Sequence, residues 1–296
     1  MASVIVVGSV NVDLVVRLPR LPPPGETVTG GTFRQTPGGK GGNQAAAAAR
    51  LGAATTLIAR VGDDPHGRLA RADLDAVGVD TTWMTATAGA DTGVASILVD
   101  AAGENLIGVA PGANDALTAG DVRAAFAAQG QDGSAVVVAS LEVPLEAVEQ
   151  AAACARERGW PFVLNPAPAR PLPAGLLRMT TVLTPNQHEV GRLGDARTPD
   201  DLLAAGVDAV VVTCGGDGVR LVTRQGHDAI PAHPVTPVDT TGAGDALTGA
   251  LAWSLSRGDD LRTAVGIANA AAALSTRADG ARGALPDSAS LAAILP

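Results

Sequence analysis

The stretch Asp239-Thr240-Thr241-Gly242-Ala243-Gly244-Asp245, followed by the apolar run Ala246–Leu255, carries the strongest local signal in the chain. A glycine-rich turn that leads directly into a helix leaves backbone N–H groups unpaired at the positive end of the helix dipole, which predicts an anion site. The same helix end favours an ionised carboxylate at Asp245. Phosphoryl transfer requires this pairing of an anion site with a base. A capping role for Asp245 fits the pattern equally well.

On the N-terminal side of this turn, short β-branched runs alternate with Ala-rich amphipathic stretches, which predicts an α/β layered fold. The runs are nearly continuous in apolar residues, as in strands buried on both faces of a parallel sheet. The predicted strands are Val4–Val7, Thr55–Ala59, Ala135–Ala139, Phe162–Leu164, Val182–Leu183 and Ala209–Thr213. The predicted helices are Asn43–Leu51, Pro65–Val77, Thr118–Gln129, Leu145–Arg158 and Asp200–Ala205. A capping box at Thr118 and Asp121 would begin the third of them.

Two segments, 12–36 and 92–110, interrupt this alternation. The first contains a Pro-rich turn, and the second reads as a hairpin with about four turn residues at 101–104. Together they predict a small separate sheet. Because we find no Ser- or Pro-rich linker and no internal repeat, we predict a single domain over residues 1–296 with this sheet as an appendage.

The composition excludes several classes of protein. A net charge of −9 disfavours nucleic-acid binding, which needs a basic surface, and only 2% of the residues are aromatic. No apolar run approaches the roughly 18 residues of a membrane helix, and the run after Met1 is too short for a signal peptide. Cys154 and Cys214 are the only cysteines, so neither a disulfide framework nor a zinc cluster is expected. We therefore expect a cytoplasmic protein.

A second glycine cluster, Pro37-Gly38-Gly39-Lys40-Gly41-Gly42-Asn43, also opens a predicted helix. It is not a Walker A loop, because Lys40 is followed by glycine and not by Ser or Thr. Gly8-Ser9-Val10-Asn11 after the first strand does not fit the dinucleotide-binding fingerprint either. The cluster could bind a sugar hydroxyl or a phosphate through its backbone and Asn43. The alternative is a flexible turn between a strand and a helix.

Polar residues follow several of the predicted strands. In open α/β sheets ligands bind beyond the carboxyl ends of the strands, so these side chains could converge on one site. Taken singly, each is better explained as a surface or capping residue. The residues are Asn11, Asp13, Glu142, Asn165, Asn186 and Glu189.

Taken together, the order and spacing of these motifs resemble the ribokinase-like (PfkB) family of sugar kinases. The resemblance runs from about Val4 to about Pro286. It implies a three-layer α/β fold, with a mostly parallel central sheet flanked by helices and a small β lid formed by 12–36 and 92–110. The motifs that carry it lie at 8–13, 39–44, 139–144, 165–169, 184–189, 213–218 and 239–245.

The resemblance also implies a role for each motif. Asp245 would be the catalytic base, and the backbone of Gly242, Ala243 and Gly244 the anion hole. The sugar-binding residues would be Asn11, Asp13, Gly39, Lys40, Asn43 and Glu142. The nucleotide-binding residues would be Asn186, Thr213, Gly215, Gly218 and Asn269, while Glu189 would organise Mg²⁺ through water. The ligands of an activating monovalent cation, usually K⁺, would be Asp239, Thr241, Ser275, Ala278, Gly280 and Ala284.

One of these cation ligands departs from the family pattern. Some members place a serine where this chain has Ala284, and an alanine offers only its backbone carbonyl. Main-chain oxygens suit such ions, so we expect the site to persist.

The activity implied by the resemblance is transfer of the γ-phosphate of ATP to the 5-hydroxyl of D-ribose, giving ADP and D-ribose 5-phosphate. Alternative acceptors are 2-deoxyribose, fructose or a nucleoside, although Phe33 alone offers little for a base-binding slot. A non-catalytic sugar-binding regulator is a further alternative, against which the intact Asp245 and anion hole argue. The resemblance also implies a homodimer joined through the lid. From the composition we expect neither a nucleic acid nor a membrane as partner.

Overall fold

The apolar runs of the sequence form the strands of a large sheet in the computed structural model, which describes residues 3–129 and 133–295. A second, smaller sheet stands apart from it. The strands in chain order are β1 (Ser3–Val7), β2 (Asn11–Arg17), β3 (Thr32–Gly38), β4 (Ala54–Gly62), β5 (Val79–Asp80), β6 (Met84–Thr87), β7 (Gly93–Val99), β8 (Asn105–Ala110), β9 (Val136–Ser140), β10 (Phe162–Asn165), β11 (Val182–Leu183), β12 (Ala209–Thr213), β13 (Val219–Thr223) and β14 (Gly226–Ile230).

The large sheet has the order β14-β13-β12-β11-β10-β9-β1-β4-β5, with β6 also paired to β4. Strand β1 lies near its centre, where Val4 is in register with both Thr55 and Val136. The sheet is parallel from β5 to β12, and β13 and β14 extend it as an antiparallel hairpin. All six predicted strands are confirmed. The hairpin was not predicted, because β14 is a polar edge strand.

Helices cover both faces of this sheet. Alternate residues of β1 point to opposite layers: Val4 and Val6 pack in one apolar core, and Ile5 and Val7 pack in the other. This confirms the predicted three-layer α/β fold with a mostly parallel sheet. The helices are α1 (Lys40–Arg50), α2 (Pro65–Ala76), α3 (Ala119–Ala128), α4 (Leu145–Glu157), α5 (Ala174–Leu177), α6 (Pro199–Ala204), α7 (Ala243–Ser256), α8 (Leu261–Ser275) and α9 (Ser288–Ala292).

The start of α3 follows the predicted capping box. The Asp121 N–H donates to Thr118 Oγ1 over 3.1 Å, and the Thr118 N–H donates to Asp121 Oδ2 over 2.9 Å. These two bonds satisfy backbone donors that a helix start otherwise leaves unpaired. Within residues 3–129 and 133–295, no helix has both the length and the apolar character needed to cross a membrane.

The smaller sheet, which we call the lid, has the strand order β3-β2-β7-β8. It confirms the separate sheet predicted from 12–36 and 92–110. Its hairpin differs slightly from expectation, since β7 ends at Val99 and β8 begins at Asn105, which leaves five connecting residues. The single domain over 1–296 stays a prediction, and residues 1, 2, 130–132 and 296 of that range lie outside the described structure.

Candidate active site

Asp245 lies in the first turn of α7, and its carboxylate is almost fully buried, with 6% of the residue exposed. Helix α7 begins after Gly242, whose φ of 76° is left-handed, and no side chain caps it. The Asp245 carboxylate instead accepts hydrogen bonds from Asn43 Nδ2 and Gln44 Nε2 of α1, each over 3.0 Å. The capping alternative for Asp245 is therefore wrong, because its two carboxylate oxygens accept from side chains of α1 and not from the start of α7.

Burial raises the pKa of Asp245, while the Lys40 ammonium and the amide donors of Asn43 and Gln44 oppose this effect. The nearby Glu142 carboxylate raises that pKa further. The helix N-terminus is therefore not the only influence on this carboxyl, because burial and Glu142 raise its pKa while Lys40, Asn43 and Gln44 lower it. A carboxyl pKa above its usual range brings a general base closer to the operating pH.

The predicted sugar-binding side chains converge beside Asp245. Burial raises the pKa of Asp13 to about 6, with Glu142 and Asp245 adding to the rise and Arg282 and Lys40 opposing it. These mutual effects require the charged groups to lie close together, although they come from five separate segments of the chain. Of the six strand-end residues, Asp13 and Glu142 thus lie in this cluster, and Asn165, Asn186 and Glu189 line a cavity together with Asp245.

Two of these sugar-side groups accept hydrogen bonds from residues that were not predicted for the site, Ser9 and Asn114. Glu142 Oε2 accepts from Ser9 Oγ over 2.5 Å and from the Lys40 N–H over 3.0 Å. Asn11 Oδ1 accepts from Asn114 Nδ2 over 2.7 Å. The second bond uses the carbonyl end of the Asn11 amide, so the donor end, Nδ2, lies on the side of the amide opposite Asn114.

The glycines before α1 are required by close approaches. Gly39 has a φ of 82°, and a Cβ on it would lie 2.6 Å from the Asn11 backbone nitrogen. A Cβ on Gly38 would overlap the Asp13 carboxylate. Side chains at these positions would displace the predicted sugar ligands, so close packing requires these two glycines in addition to the change of chain direction between β3 and α1.

A cavity of about 740 Å³ lies on the other side of the 239–245 turn. Its volume is within the range of small-molecule sites in proteins. Asn269 lines one wall of this cavity, and its Nδ2 donates to the Pro231 carbonyl over 2.7 Å. All five predicted nucleotide-binding residues line this cavity: Asn186, Thr213, Gly215, Gly218 and Asn269.

A smaller cavity of about 220 Å³ joins this site to Asp245. Lys40 and Glu189 line it together with Asp245, and nearby Asp245 and Glu142 raise the pKa of Lys40 although burial alone would lower it. A charged ammonium in a small chamber beside a helix N-terminus suits a phosphate group. The two cavities share the lining residues Asn186, Thr213, Thr240, Ala243 and Gly244.

The backbone of the predicted anion hole is partly engaged within its own turn. The Ala243 N–H donates to the Thr240 carbonyl over 3.2 Å. Gly244 and Asp245 occupy the next positions of α7, where amide groups have no partner inside the helix. Their N–H groups are therefore the ones that the helix start offers to an anion.

Glu189 and Asn186 form an interlocked turn at the rim of the smaller cavity. Glu189 Oε2 accepts from the Asn186 N–H over 2.8 Å, and Asn186 Oδ1 accepts from the Glu189 N–H over 3.0 Å. No group of three metal-ligating side chains occurs among the described residues. One carboxylate at a phosphate chamber fits Mg²⁺, which keeps several waters and binds mainly through substrate phosphates.

The predicted cation ligands come from two segments that the fold joins. Asp239 Oδ2 accepts from the Gly280 N–H over 2.8 Å, Oδ1 accepts from the Thr241 N–H over 2.9 Å, and these bonds outweigh burial and lower the pKa of Asp239. A carboxylate has about four lone-pair sites, so acceptor capacity remains for an ion. Ser275 donates its hydroxyl to the Ala272 carbonyl, which leaves its backbone oxygen as a ligand.

The same segment contacts the lid and the anion-hole turn. Arg17 of β2 and Arg34 of β3 both pair with Asp279, over 3.0 and 2.9 Å. A Cβ on Gly242 would lie 2.5 Å from the Ala281 side chain. The segment 276–284 therefore lies between the lid and the start of α7.

Four residues of this site were missed by sequence reasoning: Ser9, Gln44, Asn114 and Arg282. Ser9 and Gln44 stand inside motifs that were recognised, so their position was an available signal. Asn114 lies 103 residues from its partner Asn11 in the sequence. Arg282 lies 239 residues from its partner Asn43. Nothing in a single sequence marks such distant partners.

Comparisons with known proteins agree with this geometry. A profile of the pfkB family of carbohydrate kinases matches residues 1–288. The chain is 41% identical over 286 residues to a ribokinase of Bacillus subtilis (strain 168), with 97% of each protein covered. It is 33% identical over 294 residues to a deoxyribokinase of Salmonella typhi, with 96% of this chain and 95% of that protein covered.

A solved structure extends the agreement to the fold. The structure of Arabidopsis thaliana ribokinase complexed with ribose and ATP matches with a TM-score of 0.87 at 31% identity, and the match covers 99% of both chains. The family profile and these relatives each span nearly the whole length of the protein, and they confirm the resemblance drawn from the motifs. The chain belongs to the pfkB family of carbohydrate kinases.

Proposed function

We propose that this protein is an ATP-dependent kinase that transfers the γ-phosphate of ATP to the 5-hydroxyl of D-ribose. The observation that carries the proposal is the buried Asp245 carboxylate. It lies between a polar cluster suited to a sugar, formed by Asn11, Asp13, Asn43 and Glu142, and a cavity suited to a nucleotide. The ribokinase of Bacillus subtilis and the ribose- and ATP-bound structure from Arabidopsis thaliana support this choice of substrates.

The sugar would bind through carboxylates and amides of the polar cluster. Asp13 and Glu142 accept hydrogen bonds from sugar hydroxyls, and Asn11 donates to one through Nδ2. Gly39 allows the backbone before α1 to lie close to Asn11, and Asn43 lies next to Asp245, where the 5-hydroxyl would react. Hydrogen bonds to charged groups are roughly twice as strong as neutral ones, so Asp13 and Glu142 contribute most to sugar affinity.

Asp245 would act as the general base. One of its oxygens takes the proton of the 5-hydroxyl as the sugar oxygen forms a bond to the γ-phosphorus. The bond from that phosphorus to the β–γ bridging oxygen breaks, and ADP leaves with the electron pair. Asn43 and Gln44 hold the carboxylate in position through their two 3.0 Å bonds.

The phosphates would occupy the smaller cavity. The first-turn amides of α7 and the Lys40 ammonium, which we assign to the phosphates and no longer to the sugar, stabilise charge on the transferring group. Such stabilisation is the main contribution of protein to this reaction. Glu189 would hold Mg²⁺ through water, and bound Mg²⁺ neutralises charge on the β- and γ-phosphates. Asn186, Thr213, Gly215, Gly218 and Asn269 would hold the remainder of the nucleotide.

We also propose an activating K⁺ between Asp239 and backbone carbonyls at Thr241, Ser275, Ala278, Gly280 and Ala284. The contact between Asp239 and Gly280 supports this ligand set. The ion would stabilise the turn that begins α7.

The remaining proposals concern assembly and location. The lid carries exposed apolar side chains on β3 and β8, among them Phe33 and Ile107 at 65% and 58% exposure, which supports a homodimer joined through the lid. A cytoplasmic location suits an enzyme that uses ATP.

A coupled ADP-release assay against a panel of sugars tests the activity. We expect the highest kcat/KM with D-ribose, and mass spectrometry of the product should identify ribose 5-phosphate. A higher kcat/KM with 2-deoxyribose, fructose or a nucleoside would reassign the acceptor within the kinase family. Sugar binding without ADP release, at any of these acceptors, would favour the regulator.

A further inference from the structure

Arg282 is a buried cation that the reaction described above does not use. It lies in the segment between α8 and α9, and 8% of its side chain is exposed. Each guanidinium nitrogen donates to a different group. Nε donates to Asn43 Oδ1 over 2.9 Å, Nη1 to Asp73 Oδ2 over 2.6 Å and Nη2 to the Gly38 carbonyl over 3.2 Å.

These bonds determine which way the Asn43 amide points. A guanidinium only donates, so the atom of Asn43 that faces Arg282 must be the carbonyl oxygen. The opposite end of the amide is then the NH₂ group, and it donates to Asp245 Oδ2 over 3.0 Å. A flipped amide would place two donors together at Arg282 and two acceptors together at Asp245.

Arg282 also supplies one of the two positive charges close to Asp245. The charged groups that face this site are Lys40 of α1, Asp13 of β2, Glu142 after β9, Glu189 after β11, Asp73 of α2 and Arg282. Asp73 is at the edge of the cluster, since 38% of its side chain is exposed and can remain hydrated. Loss of Arg282 would leave Lys40 alone against Asp13, Glu142 and Asp245.

We propose that Arg282 is a positioning residue for phosphoryl transfer: it orients the Asn43 amide and, through that amide, the carboxylate of Asp245. The role rests on the proposed function of Asp245 as the base, and it does not depend on ribose as the acceptor. It also connects the base with the segment 276–284, because Arg282 belongs to that segment.

The test compares Arg282→Met, which removes the donors and the charge, with Arg282→Lys, which keeps the charge. We expect Arg282→Met to lower kcat by roughly 10- to 100-fold, as misplaced catalytic groups do, with little change in the KM for ATP. The acid limb of its kcat–pH profile should move to higher pH, because a lost cation raises the pKa of nearby carboxyls. Arg282→Lys should return the limb toward the wild-type position.

Arg60→Met is the matched control, since Arg60 forms a partly buried pair with Asp121 over 2.6 Å on another side of the sheet. It should lower the melting temperature and leave the pH limb in place. Asp73→Asn provides a test of opposite sign. It keeps Arg282 but removes a compensating negative charge, so the acid limb should move to lower pH. This variant keeps the proposal testable if Arg282→Met does not fold.

The proposal is overturned if Arg282→Met keeps kcat within about threefold of wild type, far less than misplacement predicts. It is also overturned if kcat falls with an unmoved limb, if Lys does not restore the limb, or if Asp73→Asn moves it upward. The assays use the sugar that the wild-type enzyme phosphorylates fastest, so a wrong acceptor does not affect them. An Asp245→Asn enzyme with wild-type kcat would instead overturn the proposed base, and this inference with it.

Discussion

Two carboxyls of the site, the partly buried Asp13 and the buried Asp245, have raised pKa values for related reasons but have different roles in the proposed function. Burial is the largest cause for both, and both lie near Glu142. Asp13 accepts hydroxyl hydrogen bonds in the proposed function, whereas Asp245 takes a proton. Each residue therefore supports a prediction with a different measurable quantity.

Replacement of Asp245 by Asn should lower kcat by about 10²- to 10⁴-fold, the usual contribution of a general base. The shape is kept, but the basic oxygen is lost and one amide end meets a donor from Asn43 or Gln44. Steady-state kinetics checks this, with circular dichroism and calorimetric binding of both substrates as controls. A folded variant with kcat within about threefold of wild type would contradict the role, because so small a loss is below the general-base range.

Replacement of Asp13 by Asn should weaken ribose binding by roughly 10- to 100-fold, because a charged acceptor contributes about 1.5–3 kcal/mol per hydrogen bond. Nucleotide affinity should stay nearly unchanged. Ribose binding by the wild type should itself weaken as the pH falls through about 6, where Asp13 gains its proton. Calorimetric titration at several pH values measures both effects, and wild-type affinity in the variant would remove Asp13 from the sugar site.

The same Asp13 pKa predicts a change in stability. A folded-state pKa of about 6 lies above the 3.8 of an ordinary aspartate, so the stabilisation that protonation provides is present below pH 3.8 and is lost as the pH rises through 6. The loss is of order 3 kcal/mol, at about 1.4 kcal/mol per pKa unit. Without ligand, Asp13→Asn should unfold at a higher temperature than wild type at pH 8, and the difference should shrink at pH 5.

At the scale of elements, the start of α7 depends on the segment that follows α8. Asp239 accepts from the Gly280 N–H, and Gly242 packs against Ala281, so this segment supports the anion-hole turn. Gly242 in this turn has a left-handed φ. Only a residue without a Cβ fits this conformation so close to Ala281. An ion that fixes these two segments together would order the phosphate site.

A cation held between the turn before α7 and the segment 276–284 predicts faster turnover in K⁺ than in Na⁺ or choline. Bound K⁺ would hold Asp239 and the carbonyls of 276–284 in place, and the effect should appear mainly in kcat. Rates in exhaustively exchanged buffers of equal ionic strength measure it, with Asp239→Asn as the variant in which the dependence should be lost. Equal rates in K⁺, Na⁺ and choline would mean that this chain, with Ala284, does not use the ion.

At the scale of the whole molecule, the lid leaves apolar side chains exposed to solvent. All six residues of β8 are exposed, and β3 and β8 are the two edges of the lid sheet. Leu106, Ile107 and Val109 are each more than half exposed. Apolar edge strands of this kind are liable to pair with another chain, and a second copy of this lid is the partner that we propose.

Sedimentation velocity at micromolar concentration should therefore detect a dimer. Ile107→Asp, which places a charge on the exposed face of β8, should shift the protein to a monomer without loss of its helical circular dichroism signal. A charge at an exposed position on α6, such as Ala204→Asp, is the control and should leave the dimer intact, because α6 packs against β12 and β13 of the large sheet. A monomeric wild type would count against the lid interface.

Sequence patterns by themselves were sufficient for the layered fold, because parallel strands buried on both faces must be nearly continuous in apolar residues. Val4–Val7 and Ala209–Thr213 follow that rule. The polar strand β14 does not, and it was missed. The glycine turn at 239–245 likewise predicted an anion site, because the unpaired amides of a helix start are a local property.

Tertiary structure alone decided what each site residue touches. The sequence allowed Asp245 to be a helix cap, and only the packing of α1 against α7 directs its carboxylate to Asn43 and Gln44. The direction of its pKa shift also required the structure, because desolvation depends on what surrounds a group and not on its neighbours along the chain. Arg282 entered the site for the same reason: contacts across 239 residues arise from folding, and no local pattern encodes them.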